Sequence, residues 1–182
     1  MSRAFVNEDA STADESEAPE IKIPIPPGSR NYMTAAGAEA LSRELHDLTG
    51  RERPGLLAEL AAQSAPGRSP APDELSAIRR RLGEIDRRIA YLDAMAGIAE
   101  IVTPPPPEAR DRVSFGVRVQ VRDPEGVESS YQIVGVDEAD PQRGLVGWPS
   151  PVARALMGRR VGDRAVVKLP VGERTLIIVR IE

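Results

Sequence analysis

Leu75-Ser-Ala-Ile-Arg-Arg-Arg-Leu-Gly-Glu-Ile-Asp-Arg-Arg-Ile-Ala-Tyr-Leu92 decides the fold. Leu75, Ile78, Leu82, Ile85, Ile89 and Leu92 recur at alternating steps of three and four, the spacing of one helix face packed against another helix. Arg79, Arg80, Arg81, Glu84, Asp86, Arg87 and Arg88 fill the outside. Upstream, Leu41, Leu45, Leu48, Leu56 and Leu60 form a second stripe in a segment rich in Ala, Leu and Glu, and Thr34 sits where an N-cap belongs. That stripe is regular through Leu48, offset across Thr49 to Gly55, and resumes at Leu56. Pro54 removes a backbone donor and crowds the turn before it, so a bend is expected there. Between the stripes, Ser64-Ala-Pro-Gly-Arg-Ser-Pro-Ala-Pro72 holds three prolines and a glycine in nine residues and must turn. The pattern predicts an antiparallel coiled-coil hairpin over 31–102, with its tip near 64–74. From the turn to a helix end near Glu100 the reach is roughly 40–50 Å at 1.5 Å per residue.

Thr103-Pro-Pro-Pro-Pro107 cannot continue a helix and prefers a stiff spacer, which places a linker at 103–110. Beyond it, alternating segments read as strands: Ser114 to Val121, Glu128 to Val136, Gly144 to Trp148, Arg164 to Leu169 and Arg174 to Ile181. Asp123-Pro-Glu-Gly126 is a hairpin-turn signal, and Pro151 to Met157 suits a short helix with Ser150 as its cap. The predicted fold is α+β: a helical hairpin, then an antiparallel sheet domain at 111–182 with one short helix.

The chain has 182 residues, a net charge of −4, no Cys, and only two Phe, three Tyr and one Trp. So few aromatics suit two small cores better than one large globule. Without Cys there is neither a disulfide framework nor a thiolate metal site. His46, the sole histidine, cannot build an ordinary zinc site and reads as a helix-surface imidazole. The opening residues lack an apolar run suited to a signal peptide and no later segment is a candidate membrane span, so a cytoplasmic protein with no membrane partner is expected. Glu8, Asp9, Asp14, Glu15, Glu17 and Glu20 stand against Arg3 in the first twenty residues, and residues 1–30 read as a disordered acidic tail. Gly158-Arg-Arg-Val-Gly162 reads as a turn, since it lacks the Gly-Lys-Ser/Thr end of a phosphate loop.

At several points the residues resemble a family. Arg51-Glu-Arg-Pro54, Arg81-Leu-Gly-Glu-Ile-Asp-Arg-Arg-Ile-Ala-Tyr-Leu92, Val113-Ser-Phe-Gly116, Tyr131-Gln-Ile-Val-Gly135 with Asp137-Glu-Ala-Asp140, and Ser150-Pro-Val-Ala-Arg-Ala-Leu156 with Val161-Gly-Asp163 are similar to the bacterial Gre transcript cleavage factors, GreA and GreB. The resemblance runs from about Asn31 to the C-terminus. It implies an FKBP-like sheet domain that docks on the rim of the RNA polymerase secondary channel, while the coiled coil reaches down the channel to the nascent RNA 3′ end. It also implies tip carboxylates that help hold a Mg²⁺ shared with the polymerase active site, no cofactor of the protein's own, and action as a monomer. Magnesium held by one or two carboxylates plus waters fits that chemistry.

The chain departs from the family pattern at the tip, where Arg68 and Ala71 stand opposite the two family acids. This argues against cleavage stimulation. The nearest carboxylates, Asp73 and Glu74, read either as acids favoured in the first turn of a helix, with Asp73 as a cap, or as relocated Mg²⁺ ligands. Arg68, Arg79, Arg80 and Arg81 are candidate RNA contacts, against the alternative of a solvated coil exterior; consecutive helical residues point about 100° apart, so no more than two of the arginine run share a face. Trp148, Pro149, Ser150 and Pro151 are candidate polymerase-docking residues. Trp148 reads as a loop anchor or as core. The expectation is a Gre-like elongation regulator that modulates paused or backtracked complexes and is not itself an enzyme. The alternatives are a non-cleaving inhibitor of the channel, a prolyl isomerase suggested only by fold analogy, and an adaptor regulating another protein such as nucleoside diphosphate kinase.

Overall fold

The computed structural model describes residues 24–65, 67, 72–170 and 172–182. The acidic run of the N-terminal segment, Arg68 and Ala71 lie outside the described residues. Packing begins before Asn31, because Ile25 is buried; the tail expected through residue 30 is therefore corrected at its C-terminal end.

Thr34 caps the first helix, α1 (Ala35–Asp47): its Oγ1 accepts the Gly37 N–H at 3.0 Å. A π-helical turn follows at Leu48–Glu52, and then α2 (Arg53–Gln63). The π turn accounts for the offset stripe. Leu48 and Leu56 are eight residues apart, one more than the heptad step, and the wider turn absorbs the extra residue so that both leucines face the same way. Arg53 N–H bonds back to the Leu48 carbonyl, and Pro54, with no N–H to give, ends the pattern. The return helix α3 (Pro72–Gly97) ends before Glu100, shorter than expected. Ile78, Leu82, Ile85 and Leu92 of its stripe are buried, and Leu41, Leu48, Met33 and Met95 close the hairpin core near its base. Burying each such side chain stabilises by about 1.5–3 kcal/mol. In α2 no residue is buried, and Leu57 stands open, so the far end of the hairpin is thinly packed.

Two short strands that carry no readable alternation flank the hairpin: β1 (Asn31–Met33) and β2 (Ala99–Ile101) pair in parallel. A parallel pair needs a crossover connection, and here the whole hairpin serves as one. The linker that follows contains a 3-10 turn at Pro107–Ala109, and the Arg110 guanidinium binds back to the Pro105 carbonyl at 2.8 Å.

The second unit comprises β3 (Arg118–Arg122), β4 (Glu128–Val134), β5 (Leu145–Gly147), the helix α4 (Pro151–Leu156), β6 (Arg164–Leu169) and β7 (Gly172–Ile181). The strand order is β5-β4-β3-β7-β6. The sheet is mixed rather than antiparallel throughout, because β5 runs parallel to β4. The chain between them doubles back through 3-10 turns at Val136–Glu138 and Pro141–Arg143, and no alternation pattern reports strand direction. The first of these strands begins at Arg118, not Ser114, since a turn occupies the preceding residues and Gly116 has φ +79°. At the Asp123 turn the Gly126 N–H meets the Asp123 carbonyl at 3.0 Å, and the buried Asp123 carboxylate accepts the Val127 N–H at 2.8 Å. Burial alone would push that carboxyl up, but the Val127 hydrogen bond together with Arg174 outweighs it and holds the group below the usual range. Ser150 Oγ caps α4 by accepting the Ala153 N–H at 3.2 Å. Ala153 and Leu156 close the core over Val119, Val121, Ile133, Val167 and Ile178. The class is α+β, a helical hairpin followed by a curled mixed sheet with one short helix.

Candidate functional site

Three regions bear on function: the hairpin tip, the loop before α4, and the junction between hairpin and sheet. At the tip, Asp73 and Glu74 are exposed and lie in the first turn of α3, where the helix dipole favours acids. Asp73 does not cap, because the helix has already begun at Pro72. As neighbours on a helix, the two carboxylates diverge by about 100°. Among the described residues no group of three or more His, Asp or Glu side chains is placed to hold a metal. Such a pair can contribute one ligand, or two after rearrangement, to a Mg²⁺ held mainly by other groups, but does not form a site alone.

The arginine run is exposed throughout, and its members differ in company. Arg81 reaches Glu52 at 3.6 Å and Glu84 at 3.4 Å, which ties it to the hairpin's own carboxylates. Arg79 and Arg80 meet no carboxylate among the described residues and are the freer cations. Their faces diverge as the helix dictates. His46 is exposed on α1, as expected of a surface imidazole.

At the docking loop, Pro149 and Ser150 are half-buried and Pro151 is exposed at the first position of α4. Trp148 is not a free loop anchor. Its ring packs edge-on against Tyr32 at 5.4 Å, and its Nε1 is buried with no acceptor among the described residues. The chain's only Trp therefore joins the two halves of the molecule.

The junction is the constellation that sequence reasoning missed. Glu138 stands in the quoted Asp137-Glu-Ala-Asp140 string, yet its partners are remote. One carboxylate oxygen accepts the backbone N–H of Thr34 and of Gly135, each at 3.0 Å, and the other accepts the Thr34 hydroxyl. The residue that caps α1 is thereby held by the sheet domain. A Cβ on Gly37 would lie 2.3 Å from Glu138 Cδ, and one on Gly135 would lie 2.5 Å from Glu138 Oε2; the absence of side chains at both positions makes the seat. Beside it the Tyr91 hydroxyl donates to Asp137 at 2.8 Å, with the Arg88 guanidinium 5.2 Å over the Tyr91 ring. Burial, reinforced by the Asp137 bond, pushes the Tyr91 phenol well up. Arg88 also forks onto Glu44 of α1 at 2.7 and 2.8 Å, and this hydrogen bonding holds the Glu44 carboxyl below its usual range against the opposing effect of burial. Fully buried Asn31 gives its side-chain N–H to the Met95 carbonyl at 3.2 Å. One chain of polar contacts thus runs from α1 through α3 to the sheet. Its only sequence signal was the co-occurrence of the Tyr91 and Asp137-Glu138 strings.

The architecture is that of a helical hairpin held at its base by a small sheet domain. Family comparison agrees in both halves: residues 31–101 match the model described as transcription elongation factor, N-terminal, and residues 107–182 that described as transcription elongation factor, GreA/GreB, C-term. Transcription elongation factor GreB of Neisseria meningitidis serogroup B is 38% identical over 155 residues, 85% of this chain and 94% of the relative. Transcription elongation factor GreA of Verminephrobacter eiseniae is 37% identical over 150 residues, 82% and 95% of the two chains. The crystal structure of GreA factor homolog 1 (Gfh1) of Thermus thermophilus is 26% identical, covering 84% of this chain and 99% of that one, with a TM-score of 0.39. The chain belongs to the GreA/GreB family of transcription elongation factors. No helix among the described residues is long and apolar enough to cross a membrane.

Proposed function

We propose that this protein is a transcription elongation regulator that binds RNA polymerase through its sheet domain and inserts the hairpin into the secondary channel, acting there on paused or backtracked complexes. Family membership over both halves of the chain is the observation that carries this reading. The hairpin supplies reach: α3 alone is 26 residues, about 39 Å at 1.5 Å per residue. Pro149, Ser150 and Pro151 are the proposed rim contacts, with Trp148 supporting the loop from beneath through Tyr32. Arg79 and Arg80 are the proposed contacts to the RNA near its 3′ end.

The protein is not an enzyme in this reading; any hydrolysis is the polymerase's own, and any Mg²⁺ is held chiefly by the polymerase. With Arg68 and Ala71 in place of the two acids, the tip favours occupancy of the channel without stimulated cleavage. Binding to nucleoside diphosphate kinase instead would leave the hairpin's length without a use.

The test is transcript cleavage in backtracked complexes of the cognate polymerase, with binding measured on the same samples. Binding without accelerated cleavage is expected. Acceleration that disappears in an Asp73→Ala/Glu74→Ala variant would instead make those acids the Mg²⁺ ligands. Failure to compete with a secondary-channel ligand sinks the polymerase reading altogether.

A further inference from the structure

Among the described residues the sheet ends at β6, whose outer backbone edge pairs with no other strand. Ala165 and Val167 of that strand are buried in the core, so Arg164, Val166 and Lys168 face solvent. Arg159 and Val161, in the segment between α4 and β6, are exposed as well. Along the chain Arg159, Val161, Arg164, Val166 and Lys168 alternate base with apolar residue and all are exposed, Val161 at 59% and Val166 at 45%. The cations have little internal use. Among the described residues the Arg159 side chain hydrogen-bonds the Ala155 carbonyl alone, at 3.4 Å, and Arg164 lies opposite Ile177. Lys168 lies opposite Glu173, and neighbouring Arg160 pairs with Asp111 at 3.3 Å. Neither Arg159 nor Arg164 meets a carboxylate among the described residues. An open strand edge with exposed valines and unneutralised arginines fits an extended acidic peptide, which can satisfy backbone and charge together. A nucleic acid would match the charge but not the edge, and the rim offers no aromatic ring for a base to stack on.

The chain carries such a peptide. Residues 1–23 hold six acids against Arg3 and Lys22, and include Ala4-Phe-Val6 as an apolar stretch. The described chain starts at Pro24, and Ile25 to Arg30 run beside Ile98 at the hairpin base. Four strand spacings separate β5 from β6, about 19 Å. The seven to sixteen residues between Pro24 and Glu17 or Glu8 span up to about 23–53 Å at roughly 3.3 Å each, enough to cross the sheet.

We propose that the acidic N-terminal segment of this chain docks along its own β6 rim, with its carboxylates at Arg159 and Arg164 and its apolar residues at Val161 and Val166. The inference does not rest on the polymerase reading. Docking there makes the segment a built-in competitor for any acidic partner of that face.

With no native Cys, Ser11→Cys accepts a single nitroxide in the full chain. Expected is a more than twofold loss of backbone amide signal at 159–168, relative to the reduced label. It should recover above about 0.5 M salt, where the screening length falls to a few ångströms, and also in an Arg159→Glu/Arg164→Glu variant. Three results overturn the proposal: no localised loss, loss confined to the Arg79–Arg87 face of α3, or loss that passes undiminished to unlabelled chains mixed with labelled ones, which would place the segment on a second copy.

Discussion

Gly37 lies in the first turn of α1, where a helix ordinarily gains from a residue with a side chain, yet here a methyl group would strike the Glu138 carboxylate. Gly37→Ala should therefore cost about 1–3 kcal/mol from overpacking, against the usual helix gain of up to about 1 kcal/mol. Glu138→Ala should cost about 1–3 kcal/mol by leaving the Thr34 and Gly135 N–H groups without their acceptor. In urea titrations the double variant should lose clearly less than the sum, because the shortened side chain admits the methyl. Strict additivity would mean that Glu138 is not what excludes a side chain at Gly37. Legibility at this scale follows distance along the chain. The caps at Thr34 and Ser150 were readable because each binds an N–H three residues on. Glu138 was not, since its partner Thr34 is 104 residues away.

Both hairpin stripes were visible as periodicity, and so was the offset between Leu48 and Leu56. Its form was not, because Pro54 and an inserted residue disturb a stripe in the same way on paper. The structure shows a π turn, with Pro54 at its end. Deleting Gly50 alone should leave the leucines in heptad register but put a proline inside a continuous α-helix, at a cost of about 3 kcal/mol. Deleting Gly50 together with Pro54→Ala should restore stability to the starting level or above it, since a glycine is also removed from a helix. Circular dichroism melts of the two variants separate the cases, and a double variant no more stable than the deletion alone would show that the π turn has a packing role of its own. The strands of the sheet were legible as segments and the direction of β5 was not, since alternation names the buried face and leaves the neighbour open.

Across the whole molecule, specific contacts join hairpin and sheet: Glu138 to Thr34, Tyr91 to Asp137, and Trp148 on Tyr32, with Val136 packed into the hairpin core. Tyr91→Phe combined with Glu138→Ala should loosen the joint without unfolding either part. Hydrogen exchange at Asn31 and Val102, whose N–H groups bond Ile98 and Met33 across the β1–β2 region, should accelerate roughly tenfold for each ~1.4 kcal/mol lost. Amides of β3 and β7 should keep their protection, and equal acceleration in both places would show that the molecule opens as a single unit. The sequence by itself determined the helical hairpin, the proline spacer, the strand segments, the caps and the family pattern from Asn31 onward. Each of these is written in local chemistry or in the period with which apolar residues recur. Only the tertiary structure decided that β1 and β2 pair across the hairpin, that β5 runs parallel to β4, that Trp148 serves the joint, and that Glu138 holds the helix cap of the other half. Those features depend on which buried faces meet, and periodicity records that a face is buried without recording what it is buried against.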